Sequence, residues 1–512
     1  MLVAVVGILL IVFISIVVTW LLAIVRRRLG KTAPVVVWAL ILLGLFCTIL
    51  SKYLPYRSAN TVEMDLPIMN SETRPNFLLV TLDTLRADYL GCYGNKIVQT
   101  PELDALAADG CLFEAAFSQA PTTTPSHCSI MTSTYAAQHG AINGSAMKMG
   151  FPTLAEILRL NGYETSAFVS SYMVRSNNTR LHHGFDYYED SISPYTTLLK
   201  NDESQFLIIV YIFSHLQNNQ IRGDNVSDRA IKWLDKHKQE PFFCWLHYFD
   251  PHDPYDAPHP YKNMYDNKIN KDDLPMAVAR SRYAGEVTYT DTQLGRYIDA
   301  LKRKGIYDDM LIIVTSDHGE AFGEKHGDIT DIAHGNHLYD ATQHVPLIVK
   351  LPRRQQTRQR CRDVVQLVDL APTVLEYMGA SLPQSFQGKS LLDLLNGQQR
   401  SKSGVAFAES QRYNLTKLLP GIGQDTRIER QKSIRTAEHK YIVDLSNDFR
   451  QELYDLISDP HETINISTKK HELAKKYYQR IEDTLGKLVE TEAIELDPGM
   501  FKRLKSLGYI DQ

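Results

Sequence analysis

The 512-residue sequence is short of several features that would narrow its role at once. It has no basic excess: 55 Lys and Arg against 59 Asp and Glu leave a formal net charge of −4, so nucleic acid is not an expected partner. Cysteine is scarce, with six residues and no CxxC pair, which excludes a zinc ribbon and a disulfide scaffold. One of the six, Cys47, lies in an apolar run; Cys92, Cys111, Cys128, Cys244 and Cys361 are widely separated and read as core thiols. Internal repeats and low-complexity tracts are absent. With 44% hydrophobic residues the chain is not a disordered one, and its length suits a large domain plus a smaller one.

What is present, first, is an apolar amino terminus. Met1 to Val25 carries no charged residue, and a second apolar run extends from Ala33 to Leu50. A helix crosses the hydrocarbon core with ~20 apolar residues, which the first run satisfies and the second approaches. Between them Arg26, Arg27, Arg28 and Lys31 mark a loop that the positive-inside rule puts in the cytoplasm. The expectation is a two-span transmembrane anchor over residues 1–53 and a linker over 54–74, with the rest of the chain extracytoplasmic at the cell membrane. A cleaved signal peptide would place its basic residues ahead of a shorter apolar stretch, the reverse of the order here. Asn-x-Ser/Thr sequons at Asn143, Asn177, Asn225, Asn414 and Asn465 support exposure only weakly, since chance supplies a few.

Beyond the linker, strand-like and helix-like segments alternate. Phe77 to Leu82 is a continuous apolar run, the pattern of a strand buried on both faces. Thr165–Val169, Phe242–Tyr248 and Met310–Thr315 repeat it, while Leu154–Asn161 and Arg282–Lys304 have helical spacing. This alternation predicts an α/β domain over 75–395, built on a mostly parallel sheet flanked by helices. From 396 to 512 the character changes: short strands at Ser403–Ala408 and Lys440–Asp444 precede a charged amphipathic helix at Lys469–Glu490, a smaller α+β subdomain.

Functional groups of such a sheet collect just beyond the carboxyl ends of its strands. Asp83 follows the first strand, and Asp317-His318-Gly319-Glu320 follows the Met310–Thr315 strand. Carboxylate and neutral imidazole together suit a divalent metal. Singly, each residue has a plainer reading as a turn former or helix cap. A third segment, Pro121-Thr-Thr-Thr-Pro-Ser-His127, places Pro125 in the first turn of a helix, with Thr124 available as an ordinary N-cap. A hydroxyl there would lie among unsatisfied N–H groups able to receive a tetrahedral anion.

Together these segments resemble the sulfatase family of the alkaline phosphatase superfamily. Asn76-Phe-Leu-Leu-Val-Thr-Leu-Asp83 is similar to its opening strand and first metal aspartate, and Thr123-Thr-Pro-Ser-His127 to its Cys/Ser-x-Pro-Ser-Arg nucleophile motif. Asp250-Pro-His-Asp-Pro-Tyr255 resembles its active-site histidine segment, and Thr315-Ser-Asp-His-Gly-Glu320 its second metal motif. Leu367–Thr373 and Glu452–Leu456 resemble later signatures, in the expected order. The resemblance implies an alkaline-phosphatase-like fold and one divalent ion (Ca, Mn, Zn or Mg) on Asp83, Thr123, Asp317 and His318. It further implies Thr123 as nucleophile, His252 as the acid for the leaving oxygen, and substrate contacts from His127, His247, His334 and His337.

The departures are as informative. Thr123 cannot be oxidised to the aldehyde formylglycine, so that cofactor is not expected. His127 replaces an Arg, Thr84 an Asp, and His334 and His337 flank Gly335 where a lysine should lie. Threonine at the nucleophile position resembles the phosphoethanolamine and phosphoglycerol transferases of the superfamily. The leading expectation is a membrane-anchored hydrolase of sulfate or phosphate esters in a glycan, lipid or small molecule. The alternatives are transfer of a phospho-substituent to a lipid or glycan, and a non-catalytic binding protein.

Overall fold

The computed structural model describes residues 74–486, apart from 192–220, 237–240, 270–273, 358, 401–403, 414–427 and 445–448. The expected anchor and nearly all of the linker lie outside the described residues, as does the chain beyond 486. Among the described residues no helix is long and apolar enough to cross a membrane.

Eight strands form the central sheet: β1 (Phe77–Leu82), β2 (Cys111–Phe117), β3 (Glu164–Val169), β4 (Tyr187–Glu189), β5 (Phe242–Tyr248), β6 (Leu311–Thr315), β9 (His344–Lys350) and β10 (Arg360–Gln366). Their spatial order is β10-β2-β9-β6-β1-β5-β3-β4, and only β9 runs antiparallel to its neighbours. A short hairpin, β7 (Ala321–His326) with β8 (Ile329–Ala333), fills the interval between β6 and β9.

The apolar runs form interior strands because each one feeds two cores. Phe77, Leu79, Phe243, Trp245, Leu311 and Ile313 face one side of the sheet; Leu78, Val80, Phe242, Cys244, Leu246, Ile312 and Val314 face the other. Each such side chain contributes ~1.5–3 kcal/mol on burial, so a register slip by one residue gains nothing on either face. The first side is covered by Ile130 and Met131, by the helix Leu154–Leu160, and by Leu370–Tyr377. The second is covered by Pro101–Asp109, Gly223–Lys236 and the thirty-residue helix Leu274–Arg303.

The last helix starts eight residues before the expected Arg282. Leu154–Leu160 opens with a capping box, in which Glu156 N–H donates to Thr153 and the Glu156 carboxylate receives Thr153 N–H.

A second, antiparallel sheet follows: β11 (Ala406–Tyr413), β12 (Ile428–Arg435), β13 (His439–Asp444) and β14 (Arg450–Asp455), paired in chain order. The helix His471–Leu485 lays Ala474, Tyr477, Ile481 and Leu485 on Phe407, Ile434, Tyr441, Val443 and Leu453.

Candidate metal centre

Register brings the two acidic segments together. β1 lies between β5 and β6, with Thr81 opposite both Thr315 and His247. Asp83 and Asp317 each follow their paired threonine by two residues, so both leave the sheet at the same edge. His247 lies one residue before the end of β5, beside them.

Around this edge Asp83, Asp317 and His318 each offer a ligand atom, all within 4.8 Å of one another. His318 Nε2 stands 3.8 Å from Asp83 Oδ1 and 3.4 Å from Asp317 Oδ2. His318 Nδ1 lies 3.0 Å from Gly319 O, where it donates; Nε2 then keeps its lone pair toward the carboxylates. Asp317 Oδ1 accepts from the N–H of Thr84 (3.2 Å) and of His318 (2.9 Å). Thr84 reaches that geometry with φ 57, a left-handed conformation uncommon outside glycine and asparagine.

Both oxygens of Asp83 and Oδ2 of Asp317 are buried without any hydrogen-bond partner. Burial, Asp317 and Glu320 together raise the Asp83 carboxyl well above its ordinary range, and burial raises Asp317. Burial holds His318 down at about 3. Three orphaned oxygens beside an imidazole lone pair form a donor set that fits a divalent cation, whose charge would reverse the carboxylate shifts and keep the imidazole unprotonated.

Thr123 opens the helix Thr123–Thr132, and its Oγ1 lies 3.4 Å from His318 Nε2. The hydroxyl and Asp317 Oδ2 therefore share one near neighbour. The N-cap is Thr122 and not Thr124, whose hydroxyl instead donates to Met173 O at 2.7 Å. The helix is fastened to the metal edge by Ser126, which donates to Asp317 O at 2.7 Å.

His127 sits under the same helix. Its Nδ1 donates to Thr123 O (2.8 Å), and its Nε2 accepts from the Thr81 hydroxyl (3.0 Å), which itself accepts Trp245 Nε1–H (3.0 Å). Expected to touch substrate, His127 is fully buried with both ring nitrogens spent on holding the helix, so it does not reach outward.

His247 is also fully buried, with Nε2 3.5 Å from Asp83 Oδ2 and Nδ1 3.3 Å from Ser170 Oγ. A row of imidazoles extends from the centre. The His334 ring is 4.6 Å from that of His318 and 4.9 Å from that of His252, which stacks on Phe249 at 4.3 Å. His334 Nδ1 meets the Glu320 carboxylate at 3.2 and 3.3 Å.

His337 turns toward the second sheet, where Gln431 Nε2 donates to its Nδ1 at 3.4 Å. The other eight site residues expected from the sequence gather around this edge. Glu320, quoted in the motif but given no task, is the residue that sequence reasoning missed; burial pushes it up to about 7.

A mostly parallel α/β sheet thus carries at one edge a buried carboxylate–imidazole cluster able to hold a metal ion, beside a helix-terminal hydroxyl. The sequence matches the family described as Sulfatase over residues 75–380, and that described as N-sulphoglucosamine sulphohydrolase, C-terminal, over 334–490. The chain belongs to the sulfatase family.

An uncharacterized sulfatase, YidJ, of Escherichia coli is 26% identical over 459 residues, covering 80% of this chain and 88% of that protein. An arylsulfatase of Clostridium perfringens is 23% identical, covering 82% and 94%. The phosphonate monoester hydrolase of Agrobacterium radiobacter has the same fold, with TM-score 0.64 at 22% identity, covering 83% of this chain and all of that one.

Proposed function

We propose that the protein is a metal-dependent hydrolase of sulfate or phosphate esters in which Thr123 is the nucleophile. The observation that carries this reading is the set of orphaned oxygens on Asp83 and Asp317 around His318 and the Thr123 hydroxyl. Asp83, Asp317 and His318 would hold the ion, with Thr123 as a fourth ligand. A divalent ion bound there supplies positive charge for an anionic ester and lowers the proton affinity of a nearby hydroxyl.

The remaining chemistry belongs to the chain. The Thr123 hydroxyl gives up its proton to solvent water, its Oγ forms a bond to the phosphorus or sulfur, the bond to the ester oxygen breaks, and that oxygen takes a proton from His252. Burial pushes His252 down to about 3, so it is neutral in the free site, and an anionic ester beside it raises its affinity for the proton it would deliver. Water then displaces Thr123 from the esterified intermediate and restores the hydroxyl. Thr123 carries a methyl group on Cβ and cannot become an aldehyde, so in this reading the attacking group is the hydroxyl itself.

Substrates are ester-bearing glycans, lipids or small molecules. Relatives named N-acetylglucosamine-6-O-sulfatase and ulvan-active sulfatase favour glycans. The apolar runs at Met1–Val25 and Ala33–Leu50 favour an anchored enzyme facing outward from the cell membrane. A threonine nucleophile also supports a second reading, in which an alcohol of a lipid or glycan replaces water and the reaction is transfer.

The test is turnover of aryl sulfate, aryl phosphate and aryl phosphodiester, with and without chelator and with added glycerol. Chelator-sensitive cleavage lost in Thr123→Ala supports the reading. Cleavage indifferent to both overturns it, and glyceryl product growing at the expense of hydrolysis selects transfer.

A further inference from the structure

The row of imidazoles has a common support. Glu320 follows His318 by two residues and is 1% exposed, and both of its carboxylate oxygens meet His334 Nδ1, at 3.2 and 3.3 Å. The same carboxylate is a hydrogen-bond partner of Tyr255, which lies three residues beyond His252 in the Asp250–Tyr255 segment. The main chain here is fixed as well. Arg86 Nη1 donates to Glu320 O at 2.9 Å, and Gly319 N–H donates to Thr342 O at 2.9 Å. A Cβ at Gly319 would lie 2.2 Å from Ala341 O, so only glycine lets the chain pass so close between His318 and Glu320.

His252 depends on what Glu320 holds. Its ring is seated between Phe249, stacked at 4.3 Å, and His334, whose ring meets it edge-on at 4.9 Å and 71°. His252 Nδ1 is bonded to Asp253 O, so the proton it would deliver is the one on Nε2. The direction of that N–H is set by how the ring packs, and a turn of the His334 ring moves one of its two walls. Proton transfer to a leaving oxygen demands a heavy-atom approach of ~2.6–3.2 Å, so a small displacement matters. Glu320 pins the His334 wall through Nδ1, and through Tyr255 it pins the segment that carries His252.

We propose that Glu320 is the positioning residue of the leaving-group acid, acting on His252 through His334 and Tyr255, and that the substrate is accordingly an ester of an aliphatic alcohol and not of an activated phenol. The inference rests on the hydrolase reading above. A weakly basic phenolate departs without a proton, whereas the alkoxide of a sugar or glycerol hydroxyl needs one in the transition state. Burying an ionisable side chain costs stability. Seating the acid with it raises the rate only where the leaving oxygen must be protonated.

The test is kcat/KM of the metal-loaded full chain and its variants on nitrophenyl and benzyl phosphate, with the two sulfates in parallel. Glu320→Ala is expected to lose ~10²-fold on the benzyl ester and under ~10-fold on the nitrophenyl ester, with its metal stoichiometry unchanged. Glu320→Asp, which keeps the charge but withdraws it by a methylene, should show the same selective loss. Glu320→Gln, whose amide oxygen still accepts from His334 Nδ1, should recover most of the benzyl rate. His252→Ala should share the selectivity, and adding Glu320→Ala to it should cost nothing further on the benzyl ester.

Equal loss on the two esters, a Glu320→Gln as slow as Glu320→Ala, or metal lost from Glu320→Ala overturns the proposal and makes Glu320 a support of the metal centre. Should Glu320→Ala not fold, a Glu320→Asp with the selectivity of the natural protein overturns it equally. Turnover of no ester by the metal-loaded natural protein overturns the hydrolase reading and this inference with it. Turnover with unselective loss in the variants overturns this inference alone.

Discussion

Thr123 has a double task in this account, as nucleophile and as an oxygen near the ion, so its variants separate two effects. Thr123→Ala is expected to lower kcat/KM by about 10³-fold or more while the chain still folds, read in steady-state assays beside a melting curve. Thr123→Ser, which keeps the hydroxyl, should retain measurable turnover; equal loss in both would argue that the methyl group and not the oxygen matters.

A second residue-scale expectation concerns acid. His139 is fully buried, its Nδ1 accepting Ala141 N–H and its Nε2 beside Ser129 Oγ, and burial holds it at about 3 against 6.5 in the unfolded chain. A depressed native value means that the unfolded state binds the extra proton first. The stability tied to the neutral ring is therefore full above about pH 6.5 and falls as pH drops toward 3. His139→Gln should flatten that part of the pH–stability curve in denaturant titrations; an unchanged slope would place the acid sensitivity elsewhere.

At the scale of elements, the helix Thr123–Thr132 is useful because it is fastened to the strand end that carries Asp317. Ser126→Ala removes the hydrogen bond to Asp317 O, a loss of about 1 kcal/mol in stability. Through the displaced carboxylate it should also cost ~10–100-fold in metal affinity. Titration of the chelated protein with metal checks this; an unchanged affinity would mean that Asp317 is held by Thr84 and His318 N–H alone.

Much of this local design was legible in the sequence, because it is written in runs and adjacent residues. The strand Phe77–Leu82 was found residue for residue, and Asp83, Asp317 and His318 were found as strand-end residues. The strands β9 and β10 were not, since His344-Val-Pro and Arg360-Cys-Arg mix polar residues and proline into short segments. The tasks of Glu320 and His127 were hidden for another reason: Glu320 meets His334 only because the β7–β8 hairpin pairs Ala321 with Ala333, and His127 meets Thr81 across 46 residues of chain.

Across the whole molecule, the second sheet is joined to the catalytic one by charge as well as by apolar packing. Lys440, 1% exposed, binds Asp340 at 2.7 Å and lies 3.6 Å from Glu462, while Arg435 lies 3.6 Å from Asp340. Asp340 follows the stretch that carries His334 and Gly335, and Ser410 of β11 donates to Gly335 O at 2.9 Å. The second sheet thus holds the stretch that carries Gly335, next to His334 of the candidate site.

Lys440→Met takes the nearer cation from Asp340 and the cation beside buried Glu462, and should cost about 3–5 kcal/mol, read as a fall in the denaturation midpoint; a change under about 1 kcal/mol would show the seam to be solvated.

The central claim is that the Thr123 hydroxyl performs the attack. Its most direct test is mass spectrometry of the peptide containing Thr123, after brief exposure of the metal-loaded protein to an aryl phosphodiester or sulfate and an acid quench. The account predicts a phospho- or sulfo-adduct on Thr123, absent in Thr123→Ala. Ester cleavage that proceeds normally in Thr123→Ala, or an adduct on any other residue, would contradict it.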